Sequence, residues 1–193
     1  MSVLIELGEF EEASRNSSQV QTETILAGEE IRARIASPVV TALLLAKMTV
    51  AGERDVAIRL DPRSRLELGD LGDLPIVSVL GNLIDNALDA VADDPATVGR
   101  RPRGQVSVLV SDVGGALRIT VTDSGPGIDR ARLEEVFVDG YSTKESPDGR
   151  SRGIGLALVH RLVTRAGGTI TAGSDRGACF DVVLPIRLPA EVR

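Results

Sequence analysis

Two asparagines four residues apart form the first candidate chemical site of the sequence. Asn82 and Asn86 lie in the segment Leu74 to Ala92, whose apolar residues recur with helical spacing. Asp85 and Asp89 fall on the same arc as the asparagines, opposite the apolar arc. Asparagine is a poor residue for a helix interior, and its amide oxygen is a suitable ligand for Mg²⁺. The helix alone therefore leaves two interpretations open, a metal site and a solvated polar face.

A second candidate is a carboxylate at the end of an alternating apolar segment. Asp123 has the same strand parity as Ile119 and Val121, so its side chain is expected to point inward, under a helical layer. A buried carboxylate needs a partner, and the amino group of a purine would be one. Gly125 and Gly127 follow and allow the backbone to approach a ring closely. The alternative is a capping aspartate in a tight turn.

A third candidate is the glycine-rich stretch at 153–156, which opens directly into a predicted helix at 154–166. The free amides and the positive dipole end of a helix N-terminus favour phosphate. Positive charge precedes this stretch at Lys144, Arg150 and Arg152. Neither of the common glycine-rich nucleotide motifs occurs in the chain, so a purely structural turn remains an alternative.

Composition excludes several classes of function. The chain has 193 residues, a formal net charge of -6 and a sequence pI of about 4.9. This acidic balance argues against a general nucleic-acid binder, and no apolar run is long enough to span a membrane, so we expect no membrane contact by this fragment. With one cysteine, Cys179, and one histidine, His160, neither an internal disulfide nor a zinc site of several histidines is possible. We expect a reducing, cytoplasmic location.

The order of elements predicts an α+β fold. It is a two-layer sandwich, in which helices cover one face of a mixed, mostly antiparallel sheet, with an N-terminal helical hairpin. Two regions are expected, a partial helical dimerisation segment at 1–52 and a catalytic domain at 53–190. The predicted strands are 56–60, 105–111, 116–122, 169–173 and 178–184, and the helices of the second region are 74–92 and 154–166.

The succession of these motifs resembles the catalytic domain of sensor histidine kinases, in the superfamily shared with gyrase and MutL ATPases. The resemblance covers roughly residues 53–187 and rests on four motifs. These are the asparagine box 82–87, the Asp-x-Gly-x-Gly box 123–127, a phenylalanine box beginning at 136–137, and the glycine box 153–156. Residues 80–87 and 140–144, and the N-terminal stretch 4–13, are more particularly similar to the citrate and C4-dicarboxylate sensor kinases.

The resemblance implies a role for each motif. Asn86 would coordinate Mg²⁺ at the ATP phosphates, and Asn82 would be the catalytic residue beside them. Asp123 would accept a hydrogen bond from the adenine amino group, and residues 139–152 would close over the phosphates. Ile128 and Leu156 would line the adenine slot. The full ATP-binding set is Asn82, Asn86, Asp123, Gly125, Gly127, Ile128, Lys144, Arg152, Gly153, Ile154, Gly155 and Leu156.

The implied function is transfer of the γ-phosphate of ATP to a histidine outside this fragment. No histidine precedes His160, which lies in the wrong element to be the phosphoacceptor and is expected to have a surface or packing role. The expected partners are a second copy through the helical segment, the phosphoacceptor segment of a membrane-bound parent kinase, and a response regulator. Two departures from the family pattern are Asp89, where many kinases have a basic residue, and Ala178, which removes a hydroxyl. The alternatives are a binding and dimerisation module with weak or no kinase activity, and an ATP-hydrolysing enzyme.

Overall fold

The structure is a computed structural model that describes residues 27–67, 75–100, 102–138, 154–174 and 176–186. Its helices are α1 (27–34), α2 (Pro38–Glu53), α3 (Ile76–Ala92) and α4 (Ile154–Arg165). Its strands are β1 (Val56–Leu60), β2 (Gly104–Val113), β3 (Ala116–Asp123), β4 (Thr169–Ser174) and β5 (Ala178–Pro185). Each strand and each long helix predicted within these residues is confirmed, with ends that differ by one or two residues. The predicted helical segment before residue 27 lies outside the described residues.

The five strands form one mixed sheet in the order β1-β2-β3-β5-β4. The β1–β2 pair is parallel and the other three pairs are antiparallel, which confirms the mixed, mostly antiparallel sheet that the sequence predicts. Strand β3 therefore lies at the centre, between β2 and β5, and its last residue, Asp123, pairs with Val106. This position places the carboxylate at the end of a strand that is held on both sides.

The core lies between one face of this sheet and the helices. Helix α3 contributes the apolar arc that its periodicity predicts, including Leu80, Leu83, Ile84 and Leu88, all of which are fully buried. From the sheet, the inward residues of β3 at 117, 119 and 121 are buried against them. The predicted two-layer architecture is confirmed, and the packing fixes which faces of α3 and β3 remain for a site.

Helix α2 belongs to the same core. Its residues Val40, Leu44 and Ala51 are buried in the cluster that α3 and the sheet form. The corner before it is tied to the sheet region by the parallel bridge between Ile35 and Leu66. No helix among those described is long and apolar enough to span a bilayer.

Candidate functional site

The carboxylate of Asp123 is buried at the end of β3, with only 6% of the residue exposed. Its Oδ1 accepts two backbone hydrogen bonds, from the N–H of Gly125 at 2.9 Å and from that of Ala178 at 3.1 Å. Its Oδ2 has no hydrogen-bond partner among the described residues and is not one of the fully enclosed atoms. One oxygen is thus fixed by the protein, and the other is available to a donor from outside.

Burial raises the pKa of Asp123 above its ordinary value, because an ionised carboxylate is less stable away from water. The hydrogen bonds from Ala178 and Gly125 lower the pKa and oppose this effect only in part. A carboxylate that is incompletely compensated by its own protein gains most from a further donor. The inward orientation predicted from strand parity is confirmed.

The turn after Asp123 fits tightly between α3 and the β4–β5 hairpin. A Cβ atom on Gly125 would lie 3.1 Å from Asp123 Oδ1 and 3.2 Å from the backbone carbonyl of Ala90. Gly127 has φ +78°, and a Cβ there would lie 2.5 Å from the Oγ of Ser174. A side chain at Gly125 would therefore crowd its neighbours, and one at Gly127 would force a shift of Ser174 and strain the backbone.

Two residues that the sequence analysis did not single out hold this turn in place. Ser174 Oγ accepts a hydrogen bond from the N–H of Ile128 at 3.0 Å and donates one to the carbonyl of Gly177 at 3.3 Å. Gly177 has φ +149°, and any side chain there would collide with the backbone carbonyl of Asp123. Neither residue belongs to a motif around Asp123, because they reach it only through the pairing of β5 with β3.

The two asparagines of α3 have unequal surroundings. Asn82 Nδ2 donates to the carbonyl of Ser78 in the preceding turn of its own helix, at 2.6 Å. Asn86 is half-buried, and its Nδ2 is enclosed and has no hydrogen-bond partner among the described residues. A buried amide that the protein leaves unsatisfied is unusual and is consistent with a site for a ligand.

The start of α4 meets both asparagines. A Cβ atom on Gly155 would lie 3.2 Å from Asn82 Oδ1 and 3.7 Å from Asn86 Oδ1. The glycine and asparagine motifs, far apart in the sequence, are thereby brought together. Leu156 is half-buried against the core, and Ile154 is the first residue of the helix. The predicted phosphate residues Lys144, Arg152 and Gly153 lie outside the described residues.

The acidic residues of α3 are not simply solvated, since both pair with helix α2 or its C-cap. Lys47 Nζ contacts both carboxylate oxygens of Asp85, at 2.6 and 2.7 Å. Arg54 Nη1 contacts Asp89 Oδ1 at 2.6 Å. The polar arc of α3 agrees with the helical spacing of the sequence, whereas the counter-charges come from α2 and its C-cap, which local spacing does not predict.

The phenylalanine box packs beneath the helix that follows it in the chain. The ring of Phe137 stacks on His160 of α4, with ring centroids 5.5 Å apart, and meets Phe180 of β5 edge-on at 6.3 Å. His160 is exposed and makes this ring contact, in agreement with the surface or packing role expected for it.

The site thus has two chemically distinct ends. The strand end offers a carboxylate acceptor beside Ala90, and the other end offers two amides and the first turn of α4 beside Asn82. Eight residues of helix separate these two points, which corresponds to about 12 Å. This separation fits an elongated ligand with a hydrogen-bond donor at one end and an anionic group at the other.

Residues 72–188 match the family described as histidine kinase-, DNA gyrase B-, and HSP90-like ATPases. The chain belongs to this family. Its matched region includes α3, the turn after Asp123, α4 and the β4–β5 hairpin, and membership means that the chain carries a nucleotide-binding domain.

Individual relatives are bacterial sensor kinases. The chain is 34% identical over 189 residues to the sensor protein CitS of Bacillus subtilis, covering 94% of this chain and 32% of that protein. It is 36% identical over 146 residues to the sensor histidine kinase DcuS of Escherichia coli K12, covering 75% of this chain and 25% of that protein. The chain therefore spans about a third or less of the length of these relatives.

Solved structures confirm the fold. The nucleotide-free catalytic domain of the histidine kinase ThkA superposes with a TM-score of 0.59 at 21% identity, covering 77% of this chain and 90% of that one. Full-length ShkA, solved in complex with AMPPNP, gives a TM-score of 0.62 at 24% identity, covering 79% and 30%. The expected architecture of the histidine kinase catalytic domain is thereby confirmed.

Proposed function

We propose that this chain is the ATP-binding catalytic part of a sensor histidine kinase and transfers the γ-phosphate of ATP to a histidine outside this chain. The observation that carries the proposal is the pairing of an unsatisfied carboxylate oxygen at the strand end with amides and a helix start at the other end. Family membership supports the use of ATP. Catalysis by such a domain consists mainly of positioning and electrostatic stabilisation.

At the strand end, Asp123 would recognise adenine. Its free oxygen accepts the 6-amino group, while the hydrogen bonds from Gly125 and Ala178 keep the carboxylate in one orientation. Ile128 and Leu156, both half-buried at the core edge, supply apolar contact with the ring. The glycine turn allows the backbone to approach the ring plane closely.

At the other end, Asn86 would hold Mg²⁺ and the phosphates. No group of three or more acidic, histidine or cysteine side chains in the described residues can hold a metal by itself. A single amide ligand from Asn86 fits Mg²⁺, which commonly takes one or two protein ligands together with substrate phosphates. Rotation of the Asn86 amide by 180° about its Cβ–Cγ bond would place Oδ1 where the unpartnered Nδ2 lies. Bound Mg²⁺ would neutralise phosphate charge, and the start of α4 would add its free amides.

Asn82 would favour transfer of the phosphoryl group over hydrolysis of ATP. A neutral amide cannot remove a proton from water, and Asn82 Nδ2 already donates a hydrogen bond to the carbonyl of Ser78. The nucleophile would instead be the imidazole of a phosphoacceptor histidine, which attacks without prior deprotonation by this domain. Gly153 and Gly155 would also belong to the phosphate site, and Lys144 and Arg152 would add positive charge there.

The relatives support a proposal about the partners of this chain. We propose that residues 1–52 support a homodimer, that the phosphoacceptor segment and the response regulator belong to the same signalling system, and that the site acts in the cytoplasm. The relatives CitS and DcuS are sensor proteins of which this chain matches only a part. Nothing in the proposal requires contact of this chain with nucleic acid or membrane.

Titration with ATP in the presence and absence of Mg²⁺ tests the proposal. We expect binding that is stronger with Mg²⁺, and we expect Asn86→Ala to remove the difference. Absence of binding at millimolar ATP would favour the alternative of a binding and dimerisation module. Steady phosphate release that Asn82→Ala abolishes would favour a hydrolase instead.

A further inference from the structure

Helix α3 carries an acidic side chain at the place where the proposed site must accept an anion. Asp89 is three residues beyond Asn86, so the two side chains are neighbours on the helix surface, with Cβ atoms about 5–6 Å apart. Asp89 also immediately precedes Ala90, whose backbone lies against the turn after Asp123. It therefore flanks the middle of the site, between the adenine end and the asparagine pair. Helix α3 itself contains no lysine or arginine.

An uncompensated carboxylate at this point would repel a polyphosphate. The compensating charge comes from outside α3, because Arg54 Nη1 contacts Asp89 Oδ1 at 2.6 Å. We propose that Arg54, held by Asp89, is a cation that contacts the nucleotide phosphates, so that helix α2 forms part of the site. This inference rests on the proposed function and adds a binding residue to it.

The position of Arg54 is fixed by the backbone around it. It is the C-cap residue of α2, its N–H donates to the carbonyl of Ala51 at 3.0 Å, and the N–H of Asp55 donates to the carbonyl of Gly52 at 3.1 Å. The next residue, Asp55, has φ +56° and leads directly into β1 at Val56. The side chain of Arg54 therefore extends from a short, well-defined turn between a core helix and a sheet strand. Its approach to Asp89 does not depend on a long loop.

The guanidinium has capacity left for a ligand. It carries five N–H donors, and the side-chain hydrogen bond found for it within the part of the chain that the structure describes uses only Nη1. Its side chain is 41% exposed, so the remaining donors are accessible. Lys47 is less suitable, because its ammonium already contacts both oxygens of Asp85 and its side chain is only 20% exposed. A planar guanidinium is also well shaped to bind phosphate oxygens.

The test compares ATP with adenosine, which has no phosphate, on the full chain. We expect Arg54→Ala to weaken ATP binding about five- to tenfold at low salt and less at high salt, because a partly exposed charge contact is screened. Adenosine binding should be unchanged. Arg118→Ala is the matched control, since Arg118 forms an equivalent partly exposed ion pair with Asp181 of β5, and it should alter neither affinity.

A charge exchange separates binding from structure. Arg54→Glu should weaken ATP binding more than Arg54→Ala does, and adding Asp89→Arg should restore much of the loss by returning a cation to the same place. Unchanged ATP affinity in Arg54→Ala would overturn the inference, as would equal weakening of ATP and adenosine. If the unaltered chain binds neither ligand, the proposed nucleotide site itself is wrong, which is a different outcome.

Discussion

At the scale of single residues, Asp123 serves the proposed ligand site and at the same time destabilises the fold. Its carboxylate is buried and its pKa is raised by that burial, yet within the described residues only one of its oxygens accepts hydrogen bonds. A raised pKa means that the folded state favours the protonated form more than the unfolded state does. Ionisation of Asp123 therefore destabilises the fold as the pH rises through the folded pKa. Such a group is retained where a ligand needs it.

Asp123→Asn should consequently stabilise the free protein and abolish ATP binding. The amide oxygen can still accept hydrogen bonds from Gly125 and Ala178, but no ionised group is buried. The gain in the free energy of unfolding should be present at neutral pH and should vanish as the pH falls below the ordinary value of 3.8, where both forms are neutral. Chemical denaturation across this pH range checks the sign. Lower stability of the variant at neutral pH, or retained ATP affinity, would contradict the account.

Gly177 provides a second prediction at this scale. Because a side chain there meets the carbonyl of Asp123 and the backbone has φ +149°, Gly177→Ala should destabilise the fold by about 3 kcal/mol or more. The control is Gly99→Ala, where φ is +81° but nothing lies within 4 Å, and the loss should be about 1 kcal/mol. Thermal unfolding of both variants measures the difference. Equal losses would show that the collision is absent.

At the scale of elements, the contact between α3 and α4 determines the phosphate end. Gly155→Ala should weaken ATP binding about tenfold, because its Cβ would lie 3.2 Å from Asn82 Oδ1 and would displace the amide slightly. Stability should hardly fall, since alanine is the better helix former. Gly52→Ala in α2, with nothing within 4 Å, is the matched control and should leave ATP binding unchanged. Identical ATP affinities in the two variants would argue against a site at this contact.

The elements were largely predictable, whereas their mutual contacts were not. The alternation along β3 predicted the inward direction of Asp123, and the helical spacing predicted the buried arc of α3, because both patterns are local. The roles of Ser174 and Gly177 depend on the β3–β5 pairing, and that of Arg54 depends on the packing of α2 against α3. Those contacts join residues distant in sequence, and local spacing carries no information about them.

At the scale of the whole molecule, α2 connects the N-terminal region to the catalytic fold. The expected boundary at residues 52 and 53 remains a prediction, as does the dimerisation role of residues 1–52. The structure shows that Val40, Leu44 and Ala51 are buried in the shared core and that Ile35 bridges to Leu66. Removal of α2 would expose the opposing faces of β1 and α3.

We therefore expect that a chain beginning at residue 27 folds, and that a chain beginning at residue 54 does not fold stably. Loss of the five buried apolar residues Ile31, Ile35, Val40, Leu44 and Ala51, and of the Lys47 ion pair, removes several kcal/mol, a large part of the stability of an ordinary domain. Circular dichroism with thermal unfolding distinguishes the two fragments. A cooperative transition at the same temperature in both would show that α2 is dispensable for the fold.

Recognition of the adenine amino group by the carboxylate at the end of β3 is the part of the proposed function on which the other roles depend. The most direct test is a comparison of ATP with inosine triphosphate, which carries a carbonyl oxygen in place of that amino group and a hydrogen on the adjacent ring nitrogen, N1. The account predicts that ATP binds about 10- to 100-fold more tightly, because the carbonyl would face Asp123 Oδ2 without a proton between them. Equal affinity for the two nucleotides would contradict it.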